Sequence, residues 1–409
     1  MPVAQIFLCD FVAKVLWGVA GLALIRFLPA NEYASLTLAL ALSGLMIEGV
    51  SENLNRIYII GHAKLHLAAA PLPFLTLQLS VLAVIIGLLC VFWNGGGIMV
   101  VLIAAVALSG SLLAFVKTVL QRELNFRSFS LVELARTLLF ATSLAVLIAL
   151  LQDGTKAWEV LLLQATCVTL VAAVALARTL EPGRLGQPRR AWPIGRQIAT
   201  SRYALMIGYI LVIAVFARID VLMLKMLDSP LELATYGAAF RYYAMLTLLL
   251  AAIHSVLLPL TQRTRQKQEL ELIFAKYRRA VFAVVPVVLL GAWISQWFIP
   301  LIDGGKYAGT VNVFRVLSIS TVIGLACSPY VNLLFRYGDF TFLLGLVSAV
   351  LGLNVGLNAV LIPRLHSLGA AMALCLATGM MNILVYARAR TLMASRPLPA
   401  NANDDYATT

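Results

Sequence analysis

The chain has 409 residues, of which 61% are hydrophobic and only 12% charged, and its mean hydropathy is +0.93. A soluble chain carries about 25% charged residues, so this composition excludes a soluble globular protein and points to one built inside a bilayer. The net charge of +13 would suit a nucleic-acid binder if the cations were clustered on one face, but they lie in the short stretches between apolar runs.

Those runs are read in chain order as membrane helices of about 20 residues each. They fall near 5–25, 34–55, 68–92, 98–116, 129–151 and 158–177, then near 201–224, 236–259, 280–299, 309–335, 340–362 and 367–387. The expected fold class is therefore an all-α polytopic membrane protein with about twelve transmembrane helices. Asp10 and Lys14 interrupt the first run and no basic leader precedes it, so it does not read as a cleavable signal. The longest polar interruption, Thr179 to Arg202, holds Pro182, Gly183, Gly186, Pro188 and Pro193 and divides the helices six and six. Such a composition cannot build a core. The expected organisation is an N-lobe over 1–178, a cytoplasmic linker over 179–200, a C-lobe over 201–392 and a disordered cytoplasmic tail over 393–409.

Loop charge gives an orientation, because cytoplasmic loops keep Lys and Arg while short translocated loops shed them. One set of loops holds Arg56 and Lys64, Lys117, Arg122 and Arg127, the cluster from Arg178 to Arg202, the cluster from Arg263 to Arg279, Arg336, and Arg388, Arg390 and Arg396. The opposite set holds only Arg26, Lys156, Lys225, Lys306 and Arg364, which places both termini in the cytoplasm. The positive excess is accounted for by this alternation, and no nucleic-acid partner is expected. Cys9, Cys90, Cys167, Cys327 and Cys375 have no paired spacing, so neither a disulfide framework nor a zinc site is indicated.

Five basic residues, Lys14, Arg136, Arg218, Arg241 and Arg315, fall inside the spans. Each costs about 3 kcal/mol near the centre of a spanning helix, so such residues face a bundle interior or a water-filled path. Their sign points to an anionic cargo. Lys14 lies near the middle of the first helix with Asp10 four residues earlier on the same face; an internal ion pair and a substrate or coupling role both stand. Arg241 sits among Phe240, Tyr242 and Tyr243, whose rings could line a sugar path, with no carboxylate three or four residues away; a cavity role and snorkelling to the outer interface both stand. Arg136 can pair with Glu133 three residues earlier. Arg218 and Asp220 are two residues apart and do not share a helical face, so each needs a partner elsewhere or water; a structural role at the outer end and a transport role both stand. Arg315 lies near the outer end of the tenth helix without a nearby carboxylate. Glu48 could balance a cavity lysine, accept a coupling proton or pack against the other lobe, with Glu52 and Arg56 following at intervals of four.

The candidate substrate-binding set is thus Lys14, Arg241, Arg315 and Arg218, and the coupling or charge-balancing set is Asp10, Glu48 and Asp220. Asn354 and Asn358 share one face of the eleventh helix, where amides more often bond a neighbouring helix than a ligand. His254 has no second ligand at metal spacing. No metal and no cofactor is expected, and no catalytic residue.

The halves resemble each other where the first helix of each turns into the second. Arg26-Phe-Leu-Pro-Ala-Asn-Glu-Tyr-Ala34 parallels Lys225-Met-Leu-Asp-Ser-Pro-Leu-Glu-Leu-Ala-Thr-Tyr-Gly237. Both pieces have the same membrane orientation, as in a parallel repeat about an axis along the membrane normal.

Three stretches carry a wider resemblance: Arg218-Ile-Asp-Val-Leu-Met-Leu224 with Thr235-Tyr-Gly-Ala-Ala239; Gly304-Gly-Lys-Tyr307 leading to Val316-Leu-Ser318; and Leu357-Asn-Ala-Val-Leu-Ile-Pro-Arg-Leu-His-Ser-Leu-Gly-Ala-Ala-Met-Ala373. They resemble the polysaccharide transporter, or oligosaccharide flippase, branch of the multidrug/oligosaccharidyl-lipid/polysaccharide (MOP) exporter superfamily. His366 and Ser367 depart from it, standing where that family commonly has a glycine after an aromatic. Pro363 is expected to end the eleventh helix, and Gly369, Ala370 and Ala371 to let the twelfth approach a neighbour closely.

The resemblance implies a MATE-like pair of six-helix lobes around a central cavity, rocking to carry a polyprenyl-diphosphate-linked oligosaccharide outward. It implies a bacterial cytoplasmic membrane, contact with membrane lipids, and a polysaccharide polymerase and chain-length machinery as partners. Arg and Lys are the residue types that a diphosphate calls for. Two other readings are weighed beside it. A cation-coupled multidrug antiporter of the same superfamily would use the intramembrane carboxylates. A membrane glycosyltransferase or polymerase would need a sizeable outward loop, and the outward loops here are short, so the chain reads as a transporter rather than an enzyme.

Overall fold

The computed structural model describes residues 3–60, 71–92, 97–123, 125–151, 154–179, 190–201, 203–263, 266–395 and 397. Lys64, Arg184, Arg189, Arg202, Arg265 and Arg396 lie outside them, as do the side chains of Asp10, His254 and Arg263. The described residues are nearly all helical, and none is in a strand. A bilayer offers backbone groups no water to bond, and a helix satisfies them within its own segment.

The helices are α1 (Val3–Phe27), α2 (Ala30–Met46), a π-helical turn (Ile47–Glu52), α3 (Asn53–Ile60), α4 (Pro71–Phe92), α5 (Gly97–Arg122), α6 (Phe126–Leu151) and α7 (Ala157–Thr179). Then come α8 (Ala191–Ala199), α9 (Tyr203–Phe216), α10 (Ile219–Leu227), α11 (Pro230–Arg263), α12 (Lys267–Asp303), α13 (Thr310–Tyr337) and α14 (Phe340–Ser395). Each of the twelve expected spans has a helical counterpart. Among the described residues eight helices are long and apolar enough to cross a membrane, or nine if α8 and α9 are joined as one bent span. The smaller number arises partly because α14, at 56 residues, holds the last two expected spans. A straight helix of that length would run about 84 Å, nearly three times the hydrocarbon thickness.

The chain divides into two compact units, Met1–Arg218 and Ile219–Thr409. In the first, α1 packs on α6, α5 on α7, and α2 with the π-helical turn on α5, while α9 packs on that turn and on α3. In the second, α13 is the hub, packed by α11, α12 and α14, and α10 packs on α14 and α11. The seventh expected span is therefore broken: its first segment, α9, packs with the N-terminal unit, and its second, α10, with the C-terminal unit. Part of the expected linker is folded. Over Ala191–Ala199 the helix α8 buries Ala191, Ile194 and Ile198 and packs on α4, where a Cβ at Gly195 would lie 3.0 Å from Leu77 Cδ1.

Side chains that face away from the units are apolar, as contact with acyl chains requires; on α12, Phe282 and Leu301 are 77% and 76% exposed. The small residues of α14 do what close packing needs: Ala370, Ala371 and Ala373 are fully buried. At Gly369 a Cβ would stand 2.4 Å from the Leu361 carbonyl oxygen, so only glycine lets the chain fold back there. Pro363 does not end its helix; the helical backbone breaks three residues later, at His366, with φ 55° and ψ −137°. Pro363 removes one hydrogen bond within the last turn, and it is His366 that enters the left-handed region. Among the described residues His366 is the one non-glycine residue with a positive φ. His366 Nδ1 lies 3.0 Å from Asp228 Oδ2, a contact made from this strained conformation.

The turns also show the internal repeat more sharply than the letters do. Glu32, in the first turn of α2, accepts the backbone N–H of Ala157 at the start of α7 (2.7 Å). Glu232, in the first turn of α11, accepts the backbone N–H and the hydroxyl of Ser367 (3.1 and 2.5 Å). In each half, a carboxylate in the opening turn of the second helix thus holds the start of the sixth. The unpaired N–H groups and the dipole at a helix start both favour a carboxylate. Glu32→Ala and Glu232→Ala are each expected to destabilise the protein by about 1–2 kcal/mol, read as a lowered Tm in detergent. An unchanged Tm in both would contradict the shared role.

Candidate functional site

Among the described residues, one cluster of buried polar groups in each unit involves the expected site residues. In the N-terminal unit the π-helical turn carries Glu48 at its start and Glu52 at its end. An α-helix would stack these two residues on one face, and the π geometry, common at functional sites, re-aims them. The turn is pinned by packing: a Cβ at Gly110 would stand 2.4 Å from Ile47 Cδ1, Ser51 and Ser111 share a 2.6 Å hydrogen bond, and Asn53 Nδ2 donates to the Ile207 carbonyl (2.9 Å).

Glu48 then forms an ion pair with Arg218, which follows the end of α9. Gly44 makes room for the guanidinium: a Cβ there would lie 3.4 Å from Arg218 Nη2. Arg218 Nε is buried without a hydrogen-bond partner. Glu48 and Arg218 were expected singly, as charge balance and as substrate ligand, and the fold brings them together.

In the C-terminal unit Asp220, on α10, is 2% exposed. Its Oδ1 accepts from Asn354 Nδ2 (3.0 Å) and Asn358 Nδ2 (2.7 Å) on α14, and its Oδ2 accepts from the Tyr236 hydroxyl (3.0 Å) on α11. Asn354 and Asn358 thus bond a neighbouring helix, as amides in a membrane commonly do. Three donors converge on one carboxylate, and Asn358 Oδ1 is left buried and unbonded. The neighbours Arg218 and Asp220 are therefore satisfied separately, each within its own unit.

Arg241, on α11, is half-buried and has no hydrogen-bond or ion-pair partner among the described residues. It is preceded by Phe240 and followed by buried Tyr242 and half-buried Tyr243, with Phe240 and Tyr243 in ring contact at 5.4 Å. Arg315 is placed differently. Its guanidinium reaches back to α12, donating to the carbonyls of Ala292 (3.1 Å) and Trp293 (3.4 Å) and to Gln296 Oε1 (3.0 Å), so it ties α13 to α12. Lys14 is exposed on α1.

Arg136 pairs with Glu133 as its spacing suggests and stacks over Trp17, 4.6 Å from the ring centroid. Sequence reasoning missed the second cation on Glu133: Lys117 Nζ lies 2.7 Å away, from α5. No local spacing could reveal it, since the two residues sit on different helices. Among the described residues no group of three His, Cys, Asp or Glu could hold a metal ion.

The architecture is that of a polytopic helical membrane protein, and comparison with solved structures places its fold more closely. The chain is similar to a lipid II flippase, MurJ, in an inward-closed conformation, with a TM-score of 0.74 at 11% identity over 95% of this chain and 87% of that one. It is also similar to a multidrug resistance MATE family transporter in an inward-facing conformation (TM-score 0.62, 16% identity, 93% and 95% of the two chains). A third likeness is to a MOP superfamily transporter from Pyrococcus furiosus (TM-score 0.59, 13% identity, 96% and 95%). The chain has the fold of the MOP exporter superfamily. No protein-family model matches it, and no curated protein matches it significantly.

Removing the acceptor at the centre of the Asp220 cluster strands three buried donors. Asp220→Ala is expected to destabilise the protein by about 3 kcal/mol or more, and Asp220→Asn, which keeps an acceptor oxygen, by clearly less. Thermal unfolding in detergent checks this; equal losses would show that the donors do not depend on that oxygen.

Proposed function

We propose that the chain is a flippase for a polyprenyl-diphosphate-linked oligosaccharide, the precursor of a surface polysaccharide such as O-antigen, capsule or exopolysaccharide. In this reading two lobes, the first ending at the 179–200 linker, alternate access to a central cavity in a bacterial cytoplasmic membrane with both termini cytoplasmic. The cargo would be passed on to a polymerase and chain-length machinery.

One observation carries the reading. Arg241 is a half-buried guanidinium among aromatic rings, in an apolar helix, with no partner among the described residues. A cation held this way needs an anion, and a planar donor fork fits phosphate oxygens. The flanking rings suit the faces of sugars. Lys14 is the second cation we assign to the diphosphate. Arg218 joins them when its pair with Glu48 opens, and the unbonded Nε is then available. A lipid II flippase among the proteins that share the fold supports a lipid-linked cargo. Arg315, occupied by α12 carbonyls, serves mainly to hold α13 in place.

We assign coupling to Asp220, with Glu48 and Asp10 balancing charge. Protonating Asp220 would weaken three hydrogen bonds at once and loosen α10 from α14. That same buried carboxylate favours a second reading, a cation-coupled antiporter of organic cations, since MATE transporters share the fold.

Arg241→Ala and Lys14→Ala, at unchanged membrane abundance, should each reduce surface glycan at least tenfold and accumulate lipid-linked precursor on the cytoplasmic side. Arg315→Ala should lower Tm while keeping export per folded molecule. Normal export in both Arg241→Ala and Lys14→Ala would overturn the substrate assignment, and loss of organic-cation resistance with intact glycan would favour the antiporter.

A further inference from the structure

At the end of the N-terminal unit where Arg56 and Lys117 lie, the π-helical turn, α3, α5 and α6 enclose an open cavity of about 230 Å³. Its lining includes Glu52, Asn55, Arg56, Lys117, Gln121 and Phe129. The sequence placed Arg56 and Lys117 among loop cations that only orient the chain, and nothing in the transport reading uses the space they border.

The groups around it are not all satisfied from within. Asn55 is 5% exposed, and its Nδ2 is buried without a hydrogen-bond partner. An unbonded buried amide donor costs about 1–3 kcal/mol, and an acceptor oxygen in the cavity would remove that cost. Arg56, one residue on, is exposed at the mouth and has no ion-pair partner among the described residues. Lys117 Nζ is held by Glu133 at 2.7 Å and lies 4.7 Å from the Phe129 ring centroid. An ammonium has three donors, so fixing it on one carboxylate leaves N–H groups for a ligand. Among the described residues, and counting Arg136, which shares Glu133, three cations stand against the two carboxylates Glu52 and Glu133. Phe129 supplies an apolar wall, while Glu52 and Gln121 can bond hydroxyls.

We propose that this cavity is a binding site for a phosphate ester carrying hydroxyl groups, such as a phosphoglycerol headgroup. Arg56 and Lys117 receive the phosphate, Asn55 donates to a phosphate or ester oxygen, and Glu52 and Gln121 take the hydroxyls. The source is either the headgroup of a membrane lipid or a free phosphate ester. The site stands whichever cargo the transporter carries, because none of its residues belongs to the proposed transport set.

The test uses the full chain purified in a neutral detergent, titrated by calorimetry with dihexanoylphosphatidylglycerol and separately with glycerol 3-phosphate. At least one should saturate at one site per chain. Arg56→Ala and Asn55→Leu should each weaken that binding tenfold or more, and Arg241→Ala should leave it unchanged. Saturation by the lipid alone assigns a headgroup source, and equal saturation by glycerol 3-phosphate assigns a soluble ester. Failure of both probes to saturate, or binding that survives both Arg56→Ala and Asn55→Leu, overturns the site. Because Arg56 is exposed, its variant reports on the site even if Asn55→Leu is poorly folded.

Discussion

A carboxylate shut away inside a helical membrane unit has to be answered by donors, and Asp220 is answered by three. Desolvating a charge costs several kcal/mol unless well-placed partners replace water. Tyr236 from α11 and Asn354 and Asn358 from α14 are those partners, so one side chain on α10 fixes the approach of two other helices. In hydrocarbon there is little hydrophobic drive between helices, and packing and hydrogen bonds decide their arrangement. The C-terminal unit is organised around this cluster, and α10 belongs to it for that reason. Arg218, two residues earlier, has its partner Glu48 in the N-terminal unit. The expected seventh span is consequently divided between two units at adjacent charged residues.

The turns follow the same logic of charge meeting unpaired backbone. Glu32 and Glu232 occupy corresponding positions in the two halves and hold the starts of corresponding helices, α7 and the second half of α14. A short sequence likeness could come from the small set of residues that turns draw on. Two carboxylates with the same structural duty are a stronger sign of duplication, because the duty depends on contacts 125 and 135 residues away along the chain.

Much of the fold was legible in the sequence, and the reasons are physical. Apolar runs of bilayer length cannot be disguised, so all twelve spans were placed near their helices. Interruptions within a span were harder to see. No proline marks the break after Phe216 or the π-helical turn at Ile47–Glu52. Pro363 was a visible breaker, yet the bend falls at His366, where the Asp228 contact accompanies an unfavourable φ. The site was legible as a list of charges but not as a set of pairs. The Arg136–Glu133 pair could be read because it lies within one helix; Glu48 with Arg218, and Lys117 with Glu133, could not. Arg315 looked free for want of a nearby carboxylate, when its partners are carbonyls of α12 that no sequence pattern marks.

The activity we propose is movement of an anionic, lipid-linked glycan across the membrane. It is tested most directly by reconstituting the protein into liposomes and following a fluorescent polyprenyl-diphosphate oligosaccharide from one leaflet to the other. Translocation should depend on the protein and be lost in Arg241→Ala. No translocation of the glycan, together with exchange of an organic cation against Na⁺ or H⁺, would contradict it.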